Sequence, residues 1–190
     1  MARIIPVLVG PMYEDQEVWY PKYRLEEAGF ETPLVGTRKG EYMSKYGYPA
    51  KAESAAADMK ADDLAGIMVP GGYAPDKLRT DPDVLELVRG VHAKGGMVAT
   101  ICHGPWVLIS AGIVKERRIA ATKAIKDDLV NAGAHFVDEE AVVDGNIVSA
   151  RRPSDLPAFA RAMLKVLEKR AEPSAAGRRE AREPTTPPPA

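Results

Sequence analysis

An α/β sandwich with a mainly parallel sheet is the fold class this sequence predicts, on three observations. Short apolar runs of strand length alternate with longer amphipathic segments as far as about residue 169. The segment over residues 82–94 repeats its apolar positions at helical spacing, with Val84, Leu87, Val88 and Val91 on one face. Glycines and prolines punctuate the joins, as at Gly29, Gly71-Gly72, Gly95-Gly96 and Gly112.

Taken in order, residues 4–9 read as a buried strand and residues 17–28 as a helix that Gly29 ends. Pro21 falls early in that helix, where a proline does least harm. Residues 32–35 read as a second strand. Residues 40–53, rich in glycine and tyrosine, read as a hairpin. A third strand over 65–69 ends in Pro70-Gly71-Gly72. After the helix over 82–94, Gly95-Gly96 release the chain into a strand over 97–101. An apolar helix over 105–111 follows, then a short apolar segment over 119–122 and a helix over 125–132. Asp144-Gly145 is a strong hairpin signal. An amphipathic helix over 156–169 closes the pattern.

The chain has 190 residues, 45% hydrophobic and 28% charged, enough for one domain with a sizeable core over residues 1–170. Residues 171–190 carry no large apolar side chain and end rich in proline, which predicts a disordered tail. A formal net charge of −1 offers no global field for nucleic acid or an anionic membrane. One cysteine excludes an internal disulfide framework and a Cys-rich zinc site. The three histidines, His92, His103 and His135, are too scattered to read as metal ligands, and no cofactor is expected. The N-terminal stretch reads as a strand and not as a signal peptide, and no apolar run is long enough to span a bilayer. The expectation is a cytoplasmic protein in a reducing compartment, where a lone thiol stays free.

Three segments carry the chemistry. Cys102 stands where an apolar strand turns into an apolar helix, followed by His103-Gly104-Pro105. Such a turn lifts a side chain clear of the sheet, as in a nucleophile elbow. The adjacent helix start predicts a thiol below its ordinary value of about 8.5. The backbone N–H of His103 faces a position where an oxyanion could develop. The alternative is a structural cysteine packed as a small hydrophobe. His103 pairs with Cys102 only if the turn reorients them, because neighbours on a strand point to opposite faces. Gly71-Gly72, at another strand's C-terminal end, expose N–H groups that could complete an anion nest. Glu14 and Asp15 follow the first strand. They read either as helix-start acids or as a carboxyl beside the thiol that donates a hydrogen bond or moves a proton.

Together these segments resemble the ThiJ/PfpI family, and its PfpI-type branch in particular. ATICHGP, VPGGYAPD and YEDQE stand in that family's order and approximate spacing. YGYPAKA, IKDDLVNAG and VVDGNIVSARRPSDLPAF are also similar to it, so the resemblance covers about residues 3–168. It implies a three-layer, flavodoxin-like sandwich of the class I glutamine amidotransferase-like kind. It implies Cys102 as nucleophile, Glu14 as the buried carboxylic acid hydrogen-bonded to its sulfur, and the N–H groups of Gly72 and His103 as an oxyanion hole. It further implies His103 as acid/base, oriented by Asp76 of a neighbouring subunit in a homo-oligomer, a dimer or a hexamer. Asp76 is shorter than the family's glutamate, and Thr122-Lys123 stand where the family has Tyr-Pro.

The resemblance points first to a metal-free enzyme acting on small reactive carbonyls, glyoxalase- or deglycase-like. A cysteine peptidase is the alternative, then a small-molecule hydratase or a redox-sensing stress protein. With no second cysteine, a disulfide switch within one chain is excluded.

Overall fold

A computed structural model describes residues 3–171. The tail read from residue 171 lies, past its first residue, outside the described residues. In chain order the elements are β1 (Val7–Leu8), α1 (Asp15–Glu27), β2 (Leu34–Gly36), β3 (Gly40–Met43), β4 (Pro49–Ala52), β5 (Ser54–Ala55), β6 (Gly66–Val69), α2 (Ala74–Leu78), α3 (Pro82–Ala93), β7 (Met97–Ile101), α4 (Pro105–Ser110), β8 (Arg118–Ala120), α5 (Lys126–Asn131), β9 (His135–Val137), β10 (Val142–Asp144), β11 (Ile147–Ala150) and α6 (Leu156–Ala171).

Seven strands form one sheet in the order β10-β11-β7-β6-β1-β2-β5. Every pairing in it is parallel except β10–β11, the hairpin turned at Asp144-Gly145, where Gly145 has φ 60°. β6 and β7 are buried at every position, as strands covered on both faces must be. α3 packs on β6 and β7, while α6 packs on β7 and β11 with α1 against it. This is the α/β sandwich that the alternating pattern predicts.

The differences have physical reasons. β1 is shorter than the apolar run over 4–9, because Pro6 has no N–H to give the ladder; Ile4 pairs only through isolated bridges to Glu31 and Leu64. α1 starts at Asp15, earlier than the apolar period suggests, because Glu14 takes the N-cap position in extended conformation. α2, β5 and β9 were not foreseen in the sequence, being two to five residues long with no period to show. β3 and β4 form a separate hairpin, as the glycines and tyrosines there suggest.

The topology places a crevice at the C-terminal ends of β1, β6 and β7. From β1 the chain moves to β2 on one side, then returns to lay β6 on the other, which is the switch point where ligands bind in such sheets.

Candidate active site

Cys102 leaves β7 with φ 62°, a left-handed conformation that a residue with a Cβ seldom adopts. Such strain costs on the order of 1 kcal/mol or more and persists only where the surroundings enforce it. Here the Cys102 N–H donates to Ala150 O at 3.1 Å, and the Thr122 N–H donates to Cys102 O at 3.2 Å. The Gly104 N–H closes the turn on Ile101 O at 2.8 Å. The turn reorients two neighbours that a strand would hold apart: Sγ of Cys102 lies 3.3 Å from Nδ1 of His103. Trp106 stacks obliquely on the His103 ring at 5.2 Å, and its indole N–H donates to Asp128 at 2.8 Å.

The carboxyl at the thiol is that of Glu17, not Glu14, which corrects the assignment implied by the resemblance. Glu17 is fully buried, and its Oε2 accepts the Gly71 N–H at 2.8 Å. Its Oε1 has no conventional hydrogen-bond partner, and the carboxyl interacts with the Cys102 sulfur. The reason is helical phase. Glu17, Pro21 and Leu25 share the face of α1 that turns inward, whereas Glu14 lies outside the helix at its cap. A glutamate on an otherwise apolar face was the signal available in the sequence.

Burial pushes Glu17 up to about 7, against the hydrogen bond from Gly71; the neighbouring Glu14 charge adds to the rise and Lys45 opposes it. Burial likewise pushes the Cys102 thiol up to about 12, aided by the charge and hydrogen bonding of Glu17, while the Gly72 and His103 N–H groups favour the thiolate. This overturns the expectation of a lowered thiol. The helix start faces a desolvated sulfur with a carboxylate beside it, and desolvation wins. A proton on Glu17 removes that like charge and turns the carboxyl into a donor toward sulfur. Thiol and carboxyl therefore titrate as a pair. Burial, with the Lys45 charge second, holds His103 below its ordinary value.

Glu14 serves elsewhere in the same cleft. It pairs with Lys45 at 2.5 Å, and this ion pair raises the lysine. Lys45 rides on a pinned turn in which Ser44 Oγ accepts the N–H groups of Tyr46 and Tyr48 at 3.1 and 2.9 Å. Tyr13 bridges that turn at Ser44 and the glycine loop at Gly72. The Lys45 N–H donates to Tyr13 O at 3.0 Å, and the Tyr73 N–H to Met12 O at 2.9 Å. The result is a cleft of about 680 Å³ that holds Cys102, His103, Glu14, Glu17, Lys45 and Gly72 together. Lys45 was missed in the sequence, because its place depends on contacts across about thirty residues that no local pattern shows. Tyr46 and Tyr73 stand exposed at the rim.

Asp76 is not among the residues lining this cleft. It lies on α2, largely exposed, and pairs with Lys77 at 3.1 Å. Among the described residues, no carboxylate of the same chain pairs with His103. No group of three or more His, Cys, Asp and Glu side chains there is arranged to hold a metal ion, and no helix is long and apolar enough to cross a membrane.

Comparison with known proteins agrees with this architecture. Deglycase PfpI of Pyrococcus furiosus is 41% identical over 156 residues, 82% of this chain and 94% of the relative. Among solved structures, a two-domain protein of Anabaena variabilis with DJ-1/ThiJ/PfpI-like and ferritin-like domains superposes with a TM-score of 0.85 at 35% identity. That match covers 87% of this chain and about half, 48%, of the two-domain protein. Drosophila melanogaster DJ-1beta superposes with a TM-score of 0.80 at 25% identity, covering 89% of this chain and 90% of its own. The DJ-1/PfpI family model matches residues 3–166, nearly the whole of the described fold, and the chain belongs to the DJ-1/PfpI family.

Proposed function

We propose that this protein is a cofactor-independent cysteine enzyme that converts small reactive carbonyls, in the manner of a glyoxalase or deglycase. One observation carries the reading. A strained cysteine, a proton-holding carboxyl, a neutral imidazole and two N–H groups converge on one sulfur in an open cleft. The similarity to a relative named a deglycase supports it.

The inventory matches the steps for a 2-oxoaldehyde. The Cys102–Glu17 pair shares one proton; with it on Glu17, the Cys102 thiolate adds to the aldehyde carbon, forming the C–S bond as the C=O π bond opens, and the aldehyde oxygen becomes an alkoxide facing the Gly72 and His103 N–H groups. Glu17 gives that oxygen its proton. His103, neutral and beside the sulfur, takes the proton from the same carbon, leaving an enediolate whose hydroxyl proton passes to the neighbouring oxygen. Return of a proton to the adjacent carbon gives a thioester, which water hydrolyses to the 2-hydroxy acid, restoring the thiol. One water is consumed, and no oxidant is needed.

Metal-free protein should form lactate from methylglyoxal, and Cys102→Ser should lower the rate at least a hundredfold. A fluorogenic peptide run alongside separates the peptidase alternative: peptide cleavage that depends on Cys102, without lactate, would replace this reading.

Among the described residues no carboxylate of the same chain pairs with the imidazole, which favours one supplied by a neighbour. In this reading the protein is a homo-oligomer, dimer or hexamer, with Asp76 of one subunit facing His103 of the next. Tyr46 and Tyr48, exposed beside the cleft, offer contact surface. Sedimentation should show the oligomer, and Tyr46→Ser with Tyr48→Ser should shift it toward monomer. Asp76→Asn should lower turnover about tenfold without changing sedimentation. A monomer with full activity would remove Asp76 from the mechanism.

A further inference from the structure

We propose that a second pocket beside the elbow, lined by Ala121, Thr122, Lys123, Asp138, Arg151 and Arg152, is a subsite for an oxyanion group, phosphate or carboxylate, carried by the substrate. Its anion chemistry stands by itself; that the anion belongs to a carbonyl compound rests on the function proposed above.

The pocket has a volume of about 200 Å³, ample for one such group, and it lies at the ends of β8 and β11. Its relation to the nucleophile is built into the backbone. The Cys102 N–H is held by Ala150, the residue before Arg151-Arg152, and the Cys102 carbonyl is held by Thr122, the residue before Lys123. The catalytic turn is thus hydrogen-bonded on both sides to the segments that bear the three cations. Pro153 lines the main cleft while its neighbour Arg152 lines the second pocket, so a single stretch of chain walls both.

Three cations and one carboxylate line the pocket. Asp138 is shared, accepting from Arg151 at 2.7 Å and pairing with Lys123 at 3.3 Å. Asp155, buried behind, fixes the Arg151 guanidinium through Nε at 2.8 Å and Nη2 at 3.2 Å. The Arg151 guanidinium is thereby fixed as one wall of the pocket, each of its nitrogens hydrogen-bonded to Asp138 or Asp155, and the cations left to meet an oxyanion are Lys123 and Arg152. With Asp155 counted, the cluster keeps a surplus positive charge. Arg152 is exposed, and among the described residues no carboxylate lies within ion-pair distance of it. The other side of the elbow has the opposite character, with the Glu14 and Asp15 carboxylates against Lys45. An anionic substrate group is accepted on the arginine side and repelled on the glutamate side. That orients a carbonyl compound across the sulfur.

Calorimetric titration of the full chain with inorganic phosphate, and separately with acetate, tests the site. Saturable binding of either anion by the parent is expected, weakened at least tenfold in Lys123→Gln/Arg152→Gln and retained in the distant surface variant Lys39→Gln. Tighter phosphate identifies phosphorylated carbonyls as the class, and tighter acetate identifies oxo acids. The ratio of kcat/KM for hydroxypyruvaldehyde phosphate over methylglyoxal, or for 4,5-dioxovalerate over methylglyoxal, should fall at least tenfold in the double variant. Binding that is equal in parent and double variant, or absent from both, overturns the proposal. Anion binding lost in the double variant, with no carbonyl turnover by the parent, leaves the subsite standing and removes the carbonyl function instead.

Discussion

Glu17→Gln should make the protein more stable at pH 8 while costing turnover at least a hundredfold. Moving a carboxyl from its ordinary 4.5 to about 7 disfavours its charged form by roughly 3 kcal/mol. The sign follows from proton uptake. Below about pH 4.5 the group is protonated in the folded and unfolded chains alike, and it exerts no pull. As pH rises from there to about 7, only the unfolded chain ionises it freely, so folding stability is progressively lost; above that the loss levels off. Glutamine keeps an oxygen for the Gly71 N–H and carries no charge into the interior. Unfolding midpoints of parent and variant should coincide near pH 4.5 and separate by roughly 5–10 °C at pH 8, with the variant higher. The same exchange removes the proton that the mechanism hands to the substrate oxygen, a loss on the order of a hundredfold or more. A gap that does not change with pH, or a variant that turns over normally, would falsify the role given to this carboxyl.

Gly104→Ala should be among the most damaging single-methyl additions in the chain. A Cβ at this position would sit 2.5 Å from Val69 O, 2.5 Å from Thr100 Oγ1 and 2.9 Å from Ile101 O. Two of those atoms are backbone in the central strands, which cannot yield without moving β6 or β7. Overpacking of this kind costs roughly 1–3 kcal/mol. What moves is the turn itself, because Gly104 also donates the hydrogen bond that closes it. The expected outcome is a lowered denaturation midpoint together with slower alkylation of Cys102 by iodoacetamide. Alanine at Gly112, where a Cβ would meet nothing within 4 Å, makes the control. Its positive φ of 73° brings a backbone penalty but leaves the thiol rate unchanged. Equal alkylation rates in Gly104→Ala and the parent would sink the idea that tight packing under the turn sets the thiol's position.

The two residues in these predictions show what the sequence could and could not disclose. Strand β7 and the turn after it were legible because the apolar run, the paired glycines before it and His-Gly-Pro after it are all local signals. α3 was legible for the same reason, its period lying within twelve residues. The identity of the carboxyl at the sulfur was not. Glu14 and Glu17 are three residues apart, and which of them faces inward depends on where α1 begins and how it lies on the sheet. Capping geometry decides the first and tertiary packing the second. Lys45 was invisible for a related reason, since only the pairing of Tyr13 with Ser44 brings it to the cleft. The short elements α2, β5 and β9 exist because the rest of the fold holds them, and nothing in their own composition asks for them.

The backbone of Tyr13 joins the Ser44 turn to the glycine loop, and the Met12 N–H donates to Met43 O at 2.8 Å in the same seam. Amide protons at Met12, Lys45 and Tyr73 are thereby locked by one shared strip of chain. In hydrogen exchange they should be released together, with one opening free energy, as a single cooperative unit. The two walls of the cleft should therefore move as one body, and ligand association should show a single phase with no slow gating step in stopped-flow binding.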